Sequence, residues 1–319
     1  MILALAGGVG GAKLAAGLAR CLPPERLLVA VNTGDDFEHL GFAISPDLDT
    51  VMYWLAGRND VDRGWGLAGE SWTVMAALEA LGGPTWFRLG DRDLATHIER
   101  TRRLAAGDTL SAVTRHLTER MGVRHAIVPM SDDRVRTIVE TTQGRLPFQD
   151  YFVRLRGEPK VLSLDYTGAA AASPSPAFAA ALRDAALEAI VLCPSNPLLS
   201  IAPILAVGGV RQALATHPAV KVAVSPIIAG QAVKGPAARN LVDLGLECSA
   251  RGIARFYRGL IDGLVIDERD RDLQDAIEAL GIRVHVAATV MKSAADQRRL
   301  AETALAFARD LSSGPAVPR

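Results

Sequence analysis

The stretch Ala4-Leu5-Ala6-Gly7-Gly8-Val9-Gly10-Gly11-Ala12-Lys13 decides how the rest of the chain is read. Met1 to Ala6 is a short apolar run bounded by glycine, the pattern of a buried strand. From Lys13 to Leu22 the leucines Leu14, Leu18 and Leu22 recur at helical spacing, with Ala15 and Ala16 as strong helix formers. Strand, glycine turn and helix therefore follow one another. Glycine permits a sharp turn and bare N–H groups, and a helix N-terminus adds partial positive charge, so a phosphate is the natural ligand of Gly8, Gly10, Gly11 and Lys13. A packing turn of a doubly wound protein is the competing reading, and Lys13 weighs against it by adding a charge.

Two standard phosphate motifs fail on particular residues. A P-loop requires G-x-x-x-x-G-K-[ST], but Ala12 stands at the second glycine and Leu14 follows the lysine. The dinucleotide fingerprint fits Gly8 and Gly10, meets Lys13 at its third glycine, and finds Asn32 where an acidic ribose ligand is expected.

Outward from the turn, Arg26 to Val31 reads as a second buried strand, followed by the polar loop Asn32-Thr33-Gly34-Asp35-Asp36. Ser45-Pro46-Asp47-Leu48-Asp49-Thr50-Val51 carries a helix start, with Ser45 as N-cap, Pro46 at the first helical position and Asp47 in the first turn. Capping accounts less well for Asp49. If the two loops converge, Asp35, Asp36, Asp47 and Asp49 form the oxygen-rich set that Mg2+ prefers. Because Ser45, Pro46 and Asp47 already specify the helix, Asp49 is expected to matter for reaction and not for folding. Trp54, Trp65, Trp72 and Trp86 cluster before the charged run Phe87 to Asp93, as core or as a flat wall for an aromatic ligand.

From His125 the rhythm changes to short β-rich runs, Ala126 to Met130, Val135 to Thr141 and Phe148 to Leu155. Apolar strands followed by helical patterns resume at Ala189 to Cys193, Val220 to Val224, Gly263 to Ile266 and Arg283 to Val286. The fold expected is α/β: a doubly wound, mostly parallel Rossmann-like sheet in a single catalytic unit over 1–319, with a smaller β-rich lobe inserted at about 105–170. Two further strand ends, Cys193-Pro194-Ser195-Asn196-Pro197 and Ser225-Pro226-Ile227-Ile228-Ala229-Gly230 leading to Lys234-Gly235-Pro236, offer amide, hydroxyl and backbone donors on what should be the same sheet edge.

Composition excludes several classes. Thirty-five basic residues balance 35 acidic ones, which gives no support to a nucleic-acid or membrane-surface role. Cys21, Cys193 and Cys248 are far apart and odd in number, against a disulfide framework and for a reducing, cytoplasmic setting. No apolar run approaches the ~20 residues of a membrane helix, and the N-terminus lacks the basic region of a leader. There is no G-x-S-x-G or H-E-x-x-H and no ligand spacing among the six histidines, so no protein nucleophile is visible.

Gly7-Gly8-x-Gly10-x-x-Lys13, Asn32-Thr33, Ser45 to Val51, Leu89-Gly90-Asp91-Arg92-Asp93 with Thr96 and His97, Pro129 to Asp133, Pro194 to Pro197, Ser225-Pro226-Ile227 and Asp267 to Asp270 together resemble the 2-phospho-L-lactate transferase family over nearly the whole chain. The resemblance implies an enzyme of coenzyme F-420 biosynthesis. Such enzymes move a phosphorylated three-carbon acid from a guanosine-diphosphate carrier to the deazaflavin precursor Fo, releasing GMP with magnesium. It further implies that Asp49 and Arg88 hold Fo, Arg88 standing where some relatives have lysine. The remaining roles are read from the residues: the glycine turn and Lys13 for the diphosphate, Ser195 and Asn196 for the nucleotide, and Asp49 or Asp132 as acceptor of the attacking hydroxyl's proton. A UDP-sugar-binding regulatory protein of a sister group and an NAD-dependent dehydrogenase are the alternatives. The sequence leaves open which acid is transferred and whether the chain forms a homodimer.

Overall fold

Seven apolar runs become the strands β1 (Ile2–Ala6), β2 (Leu27–Val31), β3 (Ala126–Pro129), β4 (Ala189–Leu192), β5 (Val220–Val224), β6 (Gly263–Asp267) and β7 (Arg283–Ala287). The computed structural model describes residues 1–232 and 237–313, so the expected donors at Lys234-Gly235-Pro236 lie outside the described residues. The strands form one parallel sheet in the order β7-β6-β5-β4-β1-β2-β3. Alternate side chains enter two cores. Leu3, Leu5, Leu28, Ala30, Ile190 and Leu192 pack on one face, and Ile2, Ala4, Ala6, Val29, Val31 and Val191 on the other. Continuous apolar strands are what a sheet covered on both faces requires.

The order reverses direction beside β1, and the crevice beyond the carboxyl ends of strands at such a switch point is where α/β sheets bind ligands. Leu5 pairs with Ala30 on one side and Leu192 on the other. The glycine turn, the loop from Asn32 and the loop from Cys193 therefore leave the sheet side by side.

Helix α1 spans Gly8–Cys21 and begins within the glycines, earlier than the leucine spacing indicates. It packs on helix α2 (Pro46–Leu55) and on the long helix Ala294–Ser313. At the latter contact Gly17 is required by space, since a Cβ there would lie 2.2 Å from the Gln297 carbonyl oxygen. Helix α3 spans Asp91–Ala105.

The inserted lobe contains an antiparallel sheet of Arg136–Thr141, Gly144–Pro147 and Val161–Thr167. Ala126–Pro129, expected among its short strands, is instead the edge strand β3 of the main sheet, and Asp150–Arg154 is a helical turn where an extended run was expected. Among the described residues no single helix is long and apolar enough to cross a membrane. The one bent pair that passes by length and composition, Pro197–Ala206 with Val210–Thr216, packs Ile201, Ile204, Val210 and Leu214 into the core.

Candidate active site

A cleft of about 640 Å³ opens at the carboxyl edge of the sheet. Gly8, Gly10, Lys13, Asp35, Asp47, Asp49, Arg88, Ser195 and Asn196 all line it, from loops that the topology brings together. Three residues expected in the site stand outside the lining. Gly11 is buried where a Cβ would lie 2.4 Å from Ser195 Oγ. Asp36 is also buried, and its carboxylate accepts from the Ser45 hydroxyl at 2.7 Å. Asp132 accepts from the Ser111 N–H at 2.6 Å, at the start of the helix Leu110–Arg120.

The glycines serve loop packing as well as ligand approach. Gly8 has φ +61°, a left-handed conformation that favours glycine. Its N–H donates to Asp47 Oδ1 at 2.7 Å, and the Gly7 N–H donates to Ser195 Oγ at 3.0 Å. A Cβ on Gly7 would come within 2.4 Å of Asp47 Oδ2, and one on Gly10 within 2.3 Å of the Pro194 carbonyl oxygen. Lys13 lines the cleft with its ammonium on the Met291 carbonyl at 2.9 Å and 5.5 Å from the Trp54 ring centroid. Lys13→Ala is expected to weaken GDP binding by about 1–3 kcal/mol, the scale of a lost charge-assisted hydrogen bond. Calorimetry decides it, and unchanged affinity would make the lysine incidental.

Asn32 is fully buried and gives its amide to Asp47 Oδ2 at 2.9 Å and to the Leu199 carbonyl at 3.3 Å, while its own oxygen accepts from the Gly34 N–H. Its side chain is thus committed to the loop, and the ribose carboxylate of a standard NAD site has no counterpart at this position. Burial raises the Asp35 carboxyl well above the usual range, and neighbouring Asp47 raises it further. Asp47 is pushed up to about 6 by burial, against the pull of Asn32 and the Gly8 N–H. Oδ1 of Asp35 and Oδ1 of Asp36 have no hydrogen-bond partner. Buried carboxylates held close, with unpartnered hard oxygens, fit a divalent cation. The expected four-acid set nevertheless divides: Asp35 and Asp47 line the cleft, Asp36 stands outside the lining bonded to Ser45, and Asp49 lines the cleft but is paired with Arg100.

Burial also pushes Asp36 up to about 7, with Arg136 and Ser45 pulling it down. A carboxyl whose folded pKa exceeds its unfolded value of ~3.9 contributes stability fully present below that value and lost as pH rises through the folded pKa. Metal-free protein is therefore expected to lose stability from Asp36 and Asp47 between about pH 4 and 7. Asp36→Asn should flatten the slope of urea-unfolding free energy against pH in that window. An unchanged slope would show that Asp36 ionises normally.

The sequence model of the family described as 2-phospho-L-lactate transferase CofD matches residues 2–303. The chain belongs to the 2-phospho-L-lactate transferase family. It is 42% identical over 320 residues to a phosphoenolpyruvate transferase of Kitasatospora aureofaciens, covering 98% of this chain and 99% of that protein. It is 40% identical over 301 residues to a 2-phospho-L-lactate transferase of Methanosarcina mazei, covering 94% and 98%. The crystal structure of a UPF0052 family protein from Bacillus halodurans superposes with a TM-score of 0.61 at 15% identity, covering 95% of this chain and 98% of that one. At that identity the likeness is one of fold alone.

In this member of the 2-phospho-L-lactate transferase family, aromatic rings line the cleft beside Arg88. The Arg88 guanidinium lies 4.5 Å from the Trp72 ring centroid, and Arg63 lies 5.0 Å from the same ring. Trp65, Trp86 and Phe87 contribute to the lining, as do Phe148 and Phe152, which stack at 5.2 Å and 14°. Tyr53, Asp93 and His97 also line the cleft but were not assigned roles from sequence. Their signal is spacing: Asp49 and Tyr53, and likewise Asp93 and His97, are four residues apart on helices and so share a face.

Proposed function

We propose that this transferase moves a phosphorylated three-carbon acid, of the phosphoenolpyruvate or 2-phospho-L-lactate type, from a guanosine-diphosphate carrier to the ribityl hydroxyl of Fo, releasing GMP. The observation that carries this reading is the content of one cleft: Lys13 and a glycine turn, the buried acids Asp35 and Asp47, and Arg88 among aromatic rings. The relatives named for phosphoenolpyruvate and 2-phospho-L-lactate transfer supply the class of acid. Three free cysteines agree with a reducing, cytoplasmic setting.

In this reaction the hydroxyl oxygen forms a bond to the phosphorus that bears the acid, and the bond from that phosphorus to the bridging oxygen breaks, the electron pair leaving with GMP. The proton of the hydroxyl passes to a carboxylate, a role this reading gives to Asp49, which lines the cleft. Magnesium held by Asp35 and Asp47 would supply charge neutralisation at the diphosphate. Lys13 shares that task, Ser195 and Asn196 orient the nucleotide, and the aromatic wall with Arg88 orders Fo. Phosphoryl-type transfer needs little beyond such alignment and neutralisation.

A thermal-shift panel separates this reading from its rivals. GDP with magnesium is expected to raise the melting temperature, and more than GDP alone. A UDP-sugar or NAD giving the larger shift would favour the regulatory or dehydrogenase reading instead.

A further inference from the structure

Helix α3 turns a charged face inward. Asp93, His97 and Arg100 occupy one side of it, and all three are buried, Arg100 to 2% exposure. They meet Asp49 and Tyr53 of helix α2. Arg100 Nη2 donates to Asp49 Oδ1, and its Nη1 lies 3.1 Å from His97 Nδ1 and 3.4 Å from the Ala43 carbonyl. A guanidinium only donates, so Nδ1 of His97 accepts and the ring proton sits on Nε2, 3.4 Å from Asp93 Oδ1. Asp93 Oδ1 in turn accepts from the Tyr53 hydroxyl at 2.6 Å.

Asp49, Asp93 and His97 have the mutual spacing of a metal-binding group. The guanidinium already supplies the cation there, bonding Asp49 and occupying the His97 lone pair. Asp49 Oδ2 is left without a hydrogen-bond partner, in a residue that lines the cleft. The nearest His97 nitrogen is 3.7 Å away and has no proton to offer it.

We propose that Arg100 is the positioning residue for Asp49: its fork fixes Oδ1, His97 and Ala43 fix the fork, and Oδ2, buried and without a hydrogen-bond partner, is thereby held for the acceptor hydroxyl. The inference rests on the transfer reading above, in which Asp49 meets Fo. Arg100 does not line the cleft, so its effect on the reaction passes through the lining residues it bonds, Asp49 first and His97 beside it.

The test compares wild type, Arg100→Lys, Arg100→Met, Asp49→Asn and the double variant Arg100→Met/Asp49→Asn. It reads kcat and KM for Fo, GDP affinity by calorimetry, and unfolding in urea. Arg100→Met is expected to lower kcat/KM for Fo by 100-fold or more with GDP affinity within threefold of wild type. Arg100→Lys should recover at least tenfold of that loss, and the double variant should be no slower than Asp49→Asn alone, because both act at one carboxylate. Fo kinetics within threefold of wild type, losses that multiply in the double variant, or GDP affinity falling in step with Fo kinetics would each overturn the proposal. Should Arg100→Met fail to fold, Arg100→Lys carries the test, a tenfold or smaller loss confined to Fo supporting it and unchanged kinetics overturning it. A wild type that makes no GMP defeats the transfer reading by itself. The Arg100–Asp49 coupling is then read from unfolding: Asp49→Asn offsetting the destabilisation caused by Arg100→Lys supports it, and strictly additive losses overturn it.

Discussion

Asp49→Asn is expected to lower turnover by two or more orders of magnitude, roughly the scale for one well-placed acid/base or electrostatic group. The carboxylate is buried in the cleft with one oxygen free of hydrogen bonds, and among the described residues no other acid both pairs with Arg100 and lines the cleft. The same substitution should also destabilise the protein. Asn keeps the size but leaves the buried Arg100 without its anion, a loss on the order of 3–5 kcal/mol for a broken buried pair. This revises the expectation from sequence that Asp49 is dispensable for folding. Kinetics and urea unfolding on the same preparation decide both halves. Near-normal turnover would remove Asp49 from the reaction, and unchanged stability would mean that the ion pair with Arg100 contributes nothing.

Gly10→Ala is expected to be the most damaging single-methyl change in the glycine turn. A Cβ would stand 2.3 Å from the Pro194 carbonyl oxygen, a backbone atom that cannot rotate away as a side chain can. The loop that must yield carries Ser195 and Asn196, whose amide oxygen accepts from the N–H groups of Leu198 and Leu199. Overpacking costs about 1–3 kcal/mol, against the ~1 kcal/mol by which alanine outranks glycine in a helix. Movement of the loop should add a tenfold or larger loss of GDP affinity. Gly107→Ala is a control for handling, because its Cβ would meet nothing within 4 Å although its φ of +94° disfavours a side chain. Full GDP affinity in Gly10→Ala would show that the Pro194 loop does not shape the nucleotide site.

The parallel sheet was legible because buried strands are uninterrupted apolar runs, and Ala189–Leu192, Val220–Val224 and Gly263–Asp267 stand close to where periodicity puts them. Ala126–Pro129 was misplaced because a run of four residues at a sheet edge carries no sign of which sheet it joins. Ser45 shows how tertiary contacts redirect a local signal. Its position before Pro46 reads as an N-cap, yet its hydroxyl donates to Asp36 and makes no cap hydrogen bond. The glycines were legible as a turn, but their contacts with Pro194, Ser195 and Ser200 depend on residues far along the chain. Arg100 was invisible as a site residue for the same reason: its partner Asp49 is 51 positions away, and only the side chains that reach between α3 and α2 in the fold bring the two together.

The proposed transfer is tested most directly by the products formed when the purified protein is given Fo, magnesium and a guanosine-diphosphate-linked phosphoenolpyruvate or 2-phospho-L-lactate. Chromatography with mass detection is predicted to show GMP appearing in step with a product heavier than Fo by the phospho-acid. Inorganic phosphate or a hydride-transfer absorbance change in place of GMP, with Fo recovered unaltered, would contradict it.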